Sequence, residues 1–442
     1  MRGITIAAMI LFNNPGSWKT IYAPLRHADW IGLTPTDLAY PFFMFIMGVA
    51  IAFSMRRYLQ PTAALQPPAA LQPAAALPFT AALQPNTPSH ATPTTSTGTP
   101  ASDSPAPSSG KHSAIWRILR RTLLLFAVGL ILSNFSKLLG GTLSLDNFRI
   151  MGVLQRLALA YGIGAMLYLY IPRKGLLPVA SGLLVVYVVI LQCFNGYVCS
   201  AENILAKIDT AILGAGHMIT QKGPDGIFAF EPESILGTIS SLAQVLLGAW
   251  VGRLILEQKD DRERVRRIAV FGTVLLLCGF LGQYLDPICK KIWTSSFTLV
   301  TSGAACLLLA LLIELIDIRG CTRWTPFFKV FGTNAIYSYT IASVGASVIG
   351  KLGVKSFFYS KIFQPLLGDY GGSLAYGLFF ILVIFLCTLP LYRKKIFLKL
   401  SPRPDTSFPT PTIYLPGALI PKHSTYHPNF TPAKTVLGVV GP

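Results

Sequence analysis

Apolar runs of roughly twenty residues recur from one end of this chain to the other, and no other feature limits its fold as strongly. A bilayer's hydrocarbon core is about 30 Å thick and takes about 20 apolar residues as a helix. Backbone polar groups find no water there, so repeated crossings must be made as helices. About ten segments qualify: 3–14, 35–55, 118–135, 151–171, 175–194, 234–256, 266–284, 295–316, 329–349 and 373–392. The first is too short to span alone. Because the runs continue along the whole length, the chain is not a soluble domain behind a signal peptide. The sequence predicts an all-α, polytopic integral membrane protein of about ten transmembrane helices.

Composition agrees. Of 442 residues, 52% are hydrophobic and 12% charged, against about 25% charged in soluble domains. The net charge of +19 is not a nucleic-acid signature, because no basic, aromatic-rich soluble module carries it. Lys and Arg collect in cytoplasmic loops of membrane proteins. Arg56 and Arg57, Arg117, Arg120 and Arg121, Arg173 and Lys174, the run 257–267, Arg319 and Arg323, and Arg393 to Lys395 fall on one side if every candidate spans. That arrangement predicts a multi-pass protein of the cell inner membrane with both termini cytoplasmic. The loop holding His27 and the loops 136–150, 195–233, 285–294 and 350–372 then face outward. Membrane lipid is an expected partner; nucleic acid is not.

Two segments do not read as fold. Residues 60–112 repeat "AALQP" loosely and continue through Pro, Ser and Thr, and 401–442 share that character. Such composition buries too little apolar surface to order itself. The expected organisation is therefore 1–59 with two helices and the His27 loop, a disordered cytoplasmic insert 60–112, eight further helices in 113–400, and a loose cytoplasmic tail 401–442. The seven cysteines form no CxxC, and no metal site is expected. Cys278, Cys306 and Cys387 lie in apolar runs as small hydrophobes. Cys193 and Cys199 lie close enough in sequence to pair if their loop is periplasmic, with nothing that favours it.

Charges are expensive in a membrane, so each polar group in or beside an apolar run has two readings. Asp37, in "LTPTDLAYPFF", is an acid at a helix start, with Thr34 or Thr36 as cap and Pro35 in the first turn. It is equally a carboxylate that orients a histidine or binds an amine. His27 is either an ordinary interfacial side chain or a general acid/base, since an imidazole titrates near neutrality. Asp29, Trp30 and Asp37 stand near enough to orient it. "NNPGSW" stops the first helix, and Asn13 or Asn14 could bond a sugar or a carbonyl. Arg149, Gln155 and Arg156 open the fourth run, where Arg156 either snorkels or binds. Glu231 and Glu233 are an acidic helix start or an acid/base pair. Lys290, Lys291, Trp293 and Thr294 to Ser296 crowd the mouth of the eighth run. Asn334 enters the ninth, where an amide can simply bond across helices. No P-loop, GxSxG or HExxH occurs.

The stretches "RGITIAAMILFNNPGSW", "LRHADWIGLTPTDLAYPFFMFIMG", "RIMGVLQRLALAY", "FEPESILGTISSLAQVLLG", "WTSSFTLVTSG" and "VFGTNAIYSY" resemble successive blocks of the heparan-α-glucosaminide N-acetyltransferase family. They occur in the family's order and cover nearly all of 2–400 outside the insert. The resemblance implies a transmembrane acyltransferase that moves an acetyl group from cytosolic acetyl-CoA, as co-substrate, to the amine of a glucosamine-type sugar on the outer side. It implies His27 as the active histidine and Asn14 as a second active residue, with Asn13 the alternative because two extra residues separate the asparagine from the histidine here. The acidic residue that the family usually carries before Arg-Gly has no counterpart after Met1, which leaves the start of the chain open.

The expected catalytic set is thus His27, Asp37 and Asn14. The expected substrate-binding set is Asn13, Trp30, Arg149, Gln155, Arg156, Trp293 and Asn334, and a homodimer is compatible with both. Two other functions fit the same residues. An amino-sugar transporter would line its path with Arg156, Gln244, Glu314 and Asn334 and would show inverted repeats, of which the two halves give no convincing sign. A membrane acyltransferase could instead O-acetylate a cell-envelope glycan.

Overall fold

The computed structural model describes residues 1–59 and 108–397; most of the 60–112 insert and all of the 401–442 tail lie outside them. Eight helical stretches among the described residues are long and apolar enough to cross a membrane. They are Pro35–Arg56, His112–Gly140, Val153–Tyr170, Leu176–Cys193, Thr238–Glu257, Asp261–Gly282, Ser295–Ile318 and Val354–Arg393. In element terms these hold α2 (Ala39–Leu59), α3 (Ser108–Gly140), α4 (Val153–Tyr170) and α5 (Leu176–Cys193). After α6 (Ile204–Leu213), outside these stretches, follow α7 (Thr238–Glu257), α8 (Asp261–Gly282) and α9 (Ser295–Ile313). The polytopic helical architecture is as the sequence indicates, and two departures from ten have physical causes. The first helix, α1 (Arg2–Asn13), is apolar but short. The 329–349 candidate is broken at Asn334 into α10 (Thr325–Thr333) and α11 (Ala335–Lys351). Asn334 has non-helical dihedrals (φ −117°, ψ 51°), and its amide donates to Ile396 O at 3.0 Å.

The last stretch runs from the short α12 (Val354–Phe357) through a wide turn into α13 (Gln364–Arg393), kinked at Gly368. At the other end of the insert, α3 starts at Ser108, inside the stretch that composition assigns to the linker.

Burial separates centre from rim. In α7, 78% of the apolar window is buried, against 17% in α3 and 22% in α8, so α7 is the axis of the bundle and α3 and α8 form its outer surface. Glycines let α2 and α7 touch backbone to backbone. A Cβ at Gly48 would lie 2.0 Å from Val245 O, and one at Gly248 would lie 2.1 Å from Phe45 O. Small residues at such crossings are how membrane helices gain close packing without a hydrophobic driving force. Polar side chains add bonds between α7 and α9: Ser240 to Thr298 at 2.8 Å and Gln244 to Thr301 at 3.0 Å.

The segment 195–233 is more than a loop. It holds α6 and an antiparallel hairpin of β1 (Thr220–Gly223) and β2 (Gly226–Ala229). With Trp30 it packs onto a separate apolar cluster of Tyr187, Leu191, Leu205, Phe230, Cys289 and Ile292. Cys193 and Cys199 are both free thiols.

Candidate active site at the mouth of the second helix

The chain enters α2 through one 3₁₀ turn, Pro35–Leu38, with Thr34 as N-cap and Asp37 closing a capping box. Pro35 presets the first turn. Asp37 Oδ2 accepts from Thr34 N (3.1 Å), Thr34 Oγ1 (2.9 Å) and Ala28 N (3.2 Å). Its other oxygen, Oδ1, lies 2.6 Å from His27 Nδ1. Both readings of Asp37 hold together: the carboxylate caps the turn and grips the histidine. It is fully buried, whereas the His27 side chain stays 35% exposed.

A third group joins them. Lys290 Nζ lies 3.1 Å from Asp37 Oδ1 and 3.1 Å from His27 Nδ1. This fixes the proton arrangement. An ammonium can only donate. A bare Nδ1 would set its lone pair against Oδ1 at 2.6 Å, so Nδ1 carries hydrogen and donates to Asp37. Lys290 donates to the same oxygen. Nε2 is then the nitrogen left to act as base or nucleophile. Burial pushes the Lys290 ammonium down, and Asp37 pulls it back up.

The loops bearing these groups are joined through backbone. Gly32 N donates to Ile288 O at 2.7 Å, and Gly32 forms a parallel bridge with Cys289. Gly32 has φ +126°, a conformation that favours glycine. Asp286 steadies the far side, accepting from Tyr197 Oη at 2.8 Å and from Ser296 N, at the start of α9, at 2.7 Å. Trp30 closes the rim by donating to Tyr197 O at 2.9 Å, with its ring against Phe230.

A second polar cluster involves Arg156, which is fully buried rather than snorkelling. Its Nη1 donates to Glu233 Oε2 at 3.1 Å and to Pro232 O at 3.2 Å. Its guanidinium lies 4.6 Å from the ring centroid of Trp293, which packs in T-shaped fashion with Tyr40 and Phe297. Arg149 forks onto Glu231 through Nε (2.9 Å) and Nη2 (2.7 Å). Glu231 Oε1 in turn accepts from Glu233 N. The two acids of "FEPES" therefore hold two arginines rather than facing each other as an acid/base pair. Asp209, buried on α6, accepts from Ile235 N, and burial raises its carboxyl to about 7.

Other candidate residues are engaged locally. The Asn14 amide donates to Ile10 O of its own helix at 2.8 Å, and Asn13 is exposed. Gln155 ties α4 to α3 through Ser133 Oγ and bonds Ile150 O. Asn334 sits at the break between α10 and α11. His217 bonds Phe148 O. The structure thus unites His27 with Asp37, and Arg156 with Trp293. It adds Lys290, which the sequence showed only as a crowded mouth.

No family model matches the chain. Two relatives do. The chain is 25% identical over 389 residues to the mouse heparan-alpha-glucosaminide N-acetyltransferase and 27% identical over 392 residues to the human protein. Each match takes in 76% of this chain. Both matches support membership of the heparan-alpha-glucosaminide N-acetyltransferase family. The chain spans about half the length of these relatives, 51% in each case.

Proposed function

We propose that this chain is a transmembrane acetyltransferase, with acetyl-CoA as donor and the amine of a glucosamine-type sugar as acceptor. The observation that carries the reading is the His27–Asp37 pair: a half-exposed imidazole whose Nδ1 is committed to a buried carboxylate, leaving Nε2 to react. In direct transfer, the amine attacks the thioester carbonyl, Nε2 accepts the amine proton, and the C–S bond breaks to release CoA thiolate. In stepwise transfer, Nε2 itself attacks the carbonyl and thiolate leaves. The amine then attacks the acetyl carbonyl, the C–N bond to the ring breaks, and the freed Nε2 accepts the amine proton. The relatives' names support the acyl chemistry and the amino-sugar acceptor. The Lys/Arg distribution supports an inner-membrane protein with His27 outside and the anionic donor drawn to the basic cytoplasmic side.

The test uses sealed vesicles bearing the whole protein, radiolabelled acetyl-CoA on the cytoplasmic face and glucosamine on the other. Acceptor-dependent release of CoA thiol with an N-acetyl product is expected. Acceptor uptake without thiol release would replace the enzyme by a transporter, and an O-acetyl product would replace the amine. Label bound to His27 in the absence of acceptor separates the stepwise route from the direct one.

A further inference from the structure

Lys290 reaches the dyad from a segment distant in sequence, and nothing in the proposed chemistry requires a second cation there. Its ammonium stands 3.1 Å from the ring nitrogen of a side chain that must be neutral at Nε2 to act. It also shares Oδ1, the carboxylate oxygen that would stabilise an imidazolium. A like charge at this distance disfavours the charged ring, and sharing Oδ1 weakens the Asp37 carboxylate's pull in its favour. The surrounding charges do not replace this effect. Glu233 and Lys291 act on Lys290 in opposite directions. Arg26 and Asp29, on the same loop as His27, pair at 3.9 Å in solvent.

We propose that Lys290 is a positioning residue for His27: it holds Asp37 and keeps the imidazole neutral and ready at Nε2. The inference rests on the reading of His27 as the reacting group. Neutral His27, Asp37 carboxylate and Lys290 ammonium sum to zero charge. Protonating the ring leaves a net positive cluster beside a low-dielectric medium. Without Lys290, the Asp37 carboxylate would act on the ring alone and favour its protonated, unreactive form.

The experiment avoids acetyl transfer, so its failure and the failure of the functional reading are distinguishable. Full-length protein in isolated membranes is treated with diethyl pyrocarbonate, with which an imidazole reacts only in its neutral form. The His27 peptide is followed by mass spectrometry from pH 5 to pH 9. In Lys290→Met the rate profile should move toward alkaline pH by about one unit. Lys290→Arg, which keeps the charge, should leave it near wild type. Lys290→Gln serves as the second neutral variant if Lys290→Met fails to insert, and it should move the profile as Lys290→Met does. A general loosening would raise the rate at every pH without moving the profile. A profile in the neutral variants that is unmoved, or displaced toward acid, overturns the proposal.

Discussion

The guanidinium of Arg156 stacks over the indole of Trp293 at 4.6 Å while donating to Glu233 at 3.1 Å. A charge is thereby held with no exposed surface. Arg156→Met would leave Glu233 buried without its partner. Breaking a buried pair on one side costs about 3–5 kcal/mol, so a large fall in the thermal midpoint is expected. Adding Glu233→Gln should recover a good part of it. If the double variant melts no higher than the single one, the pair is not what holds this region.

The dyad separates chemistry from folding. His27 is partly exposed and gives Asp37 one of its five donors, so His27→Ala should lose no more than about 1–3 kcal/mol of stability while losing acetyl transfer by about 10²–10⁴-fold. Asp37→Asn should fail on both counts. Three donors on Oδ2 and two on Oδ1 converge on that carboxylate, and each lost charge-assisted bond costs about 1–3 kcal/mol. Wild-type turnover in a well-folded His27→Ala protein would remove His27 from the mechanism.

Asp209 makes stability depend on pH in a stated direction. Burial raises its carboxyl from 3.8 to about 7 in the folded protein. Between those values the folded state keeps a proton that the unfolded chain has released, so stability falls as pH rises through that window. Asp209→Asn keeps an oxygen for Ile235 N and cannot ionise. Its advantage over wild type should grow by about 2 kcal/mol between pH 5 and pH 8. Melting curves at the two pH values decide this; an advantage that shrinks as pH rises contradicts it.

The α2–α7 contact makes a steric prediction. Gly248→Ala would drive a methyl against Phe45 O, a backbone atom that cannot swing aside. Lower stability and impaired acetyl transfer should follow together, because α2 carries Asp37's turn. Gly182→Ala, on α5 with nothing within 4 Å of the new methyl, should behave like wild type. Equal behaviour of the two variants would mean that the helices can separate freely.

Orientation is checked by thiol labelling. In a background lacking the native cysteines, Asp225→Cys, on the hairpin turn, should react with an impermeant reagent from outside intact cells. Arg262→Cys, in the basic 257–267 run, should not. Labelling of Arg262→Cys alone would turn the protein over and place His27 in the cytoplasm.

Much of this was legible in the sequence where the signals are local. The apolar runs gave the helical membrane architecture. The Thr34–Asp37 spacing, with Pro35 between, announced a capped turn, and His27 lay within its reach. What escaped was long-range. Lys290 approaches from 263 positions away, and a lysine at a helix mouth reads as a solvated charge until the loops are folded. Glu231 and Glu233 looked like a pair because they are neighbours in sequence; their partners, Arg149 and Arg156, are 82 and 77 positions off. The break at Asn334 has neither proline nor glycine in place of the asparagine to mark it. The β1–β2 hairpin did carry a turn signal, Pro224-Asp225-Gly226, beneath a polar segment taken as loop.

The bond from Gly32 N to Ile288 O has a consequence for how such a site can diversify. It stitches the histidine's loop to the lysine's loop through main-chain atoms, so side-chain replacement elsewhere on either loop leaves the stitch in place, while Gly32 itself is fixed by its φ of +126°. The short span from His27 to Gly32 is anchored at both ends, by Asp37 at one and by the stitch at the other. An inserted residue there would pull the imidazole off its carboxylate. The stretch before Pro24, whose carbonyl accepts from Thr36 Oγ1 at 3.2 Å, lies outside these anchors and can change its surface. A lineage could thus alter what it admits at the outer mouth while the reacting nitrogen keeps its address.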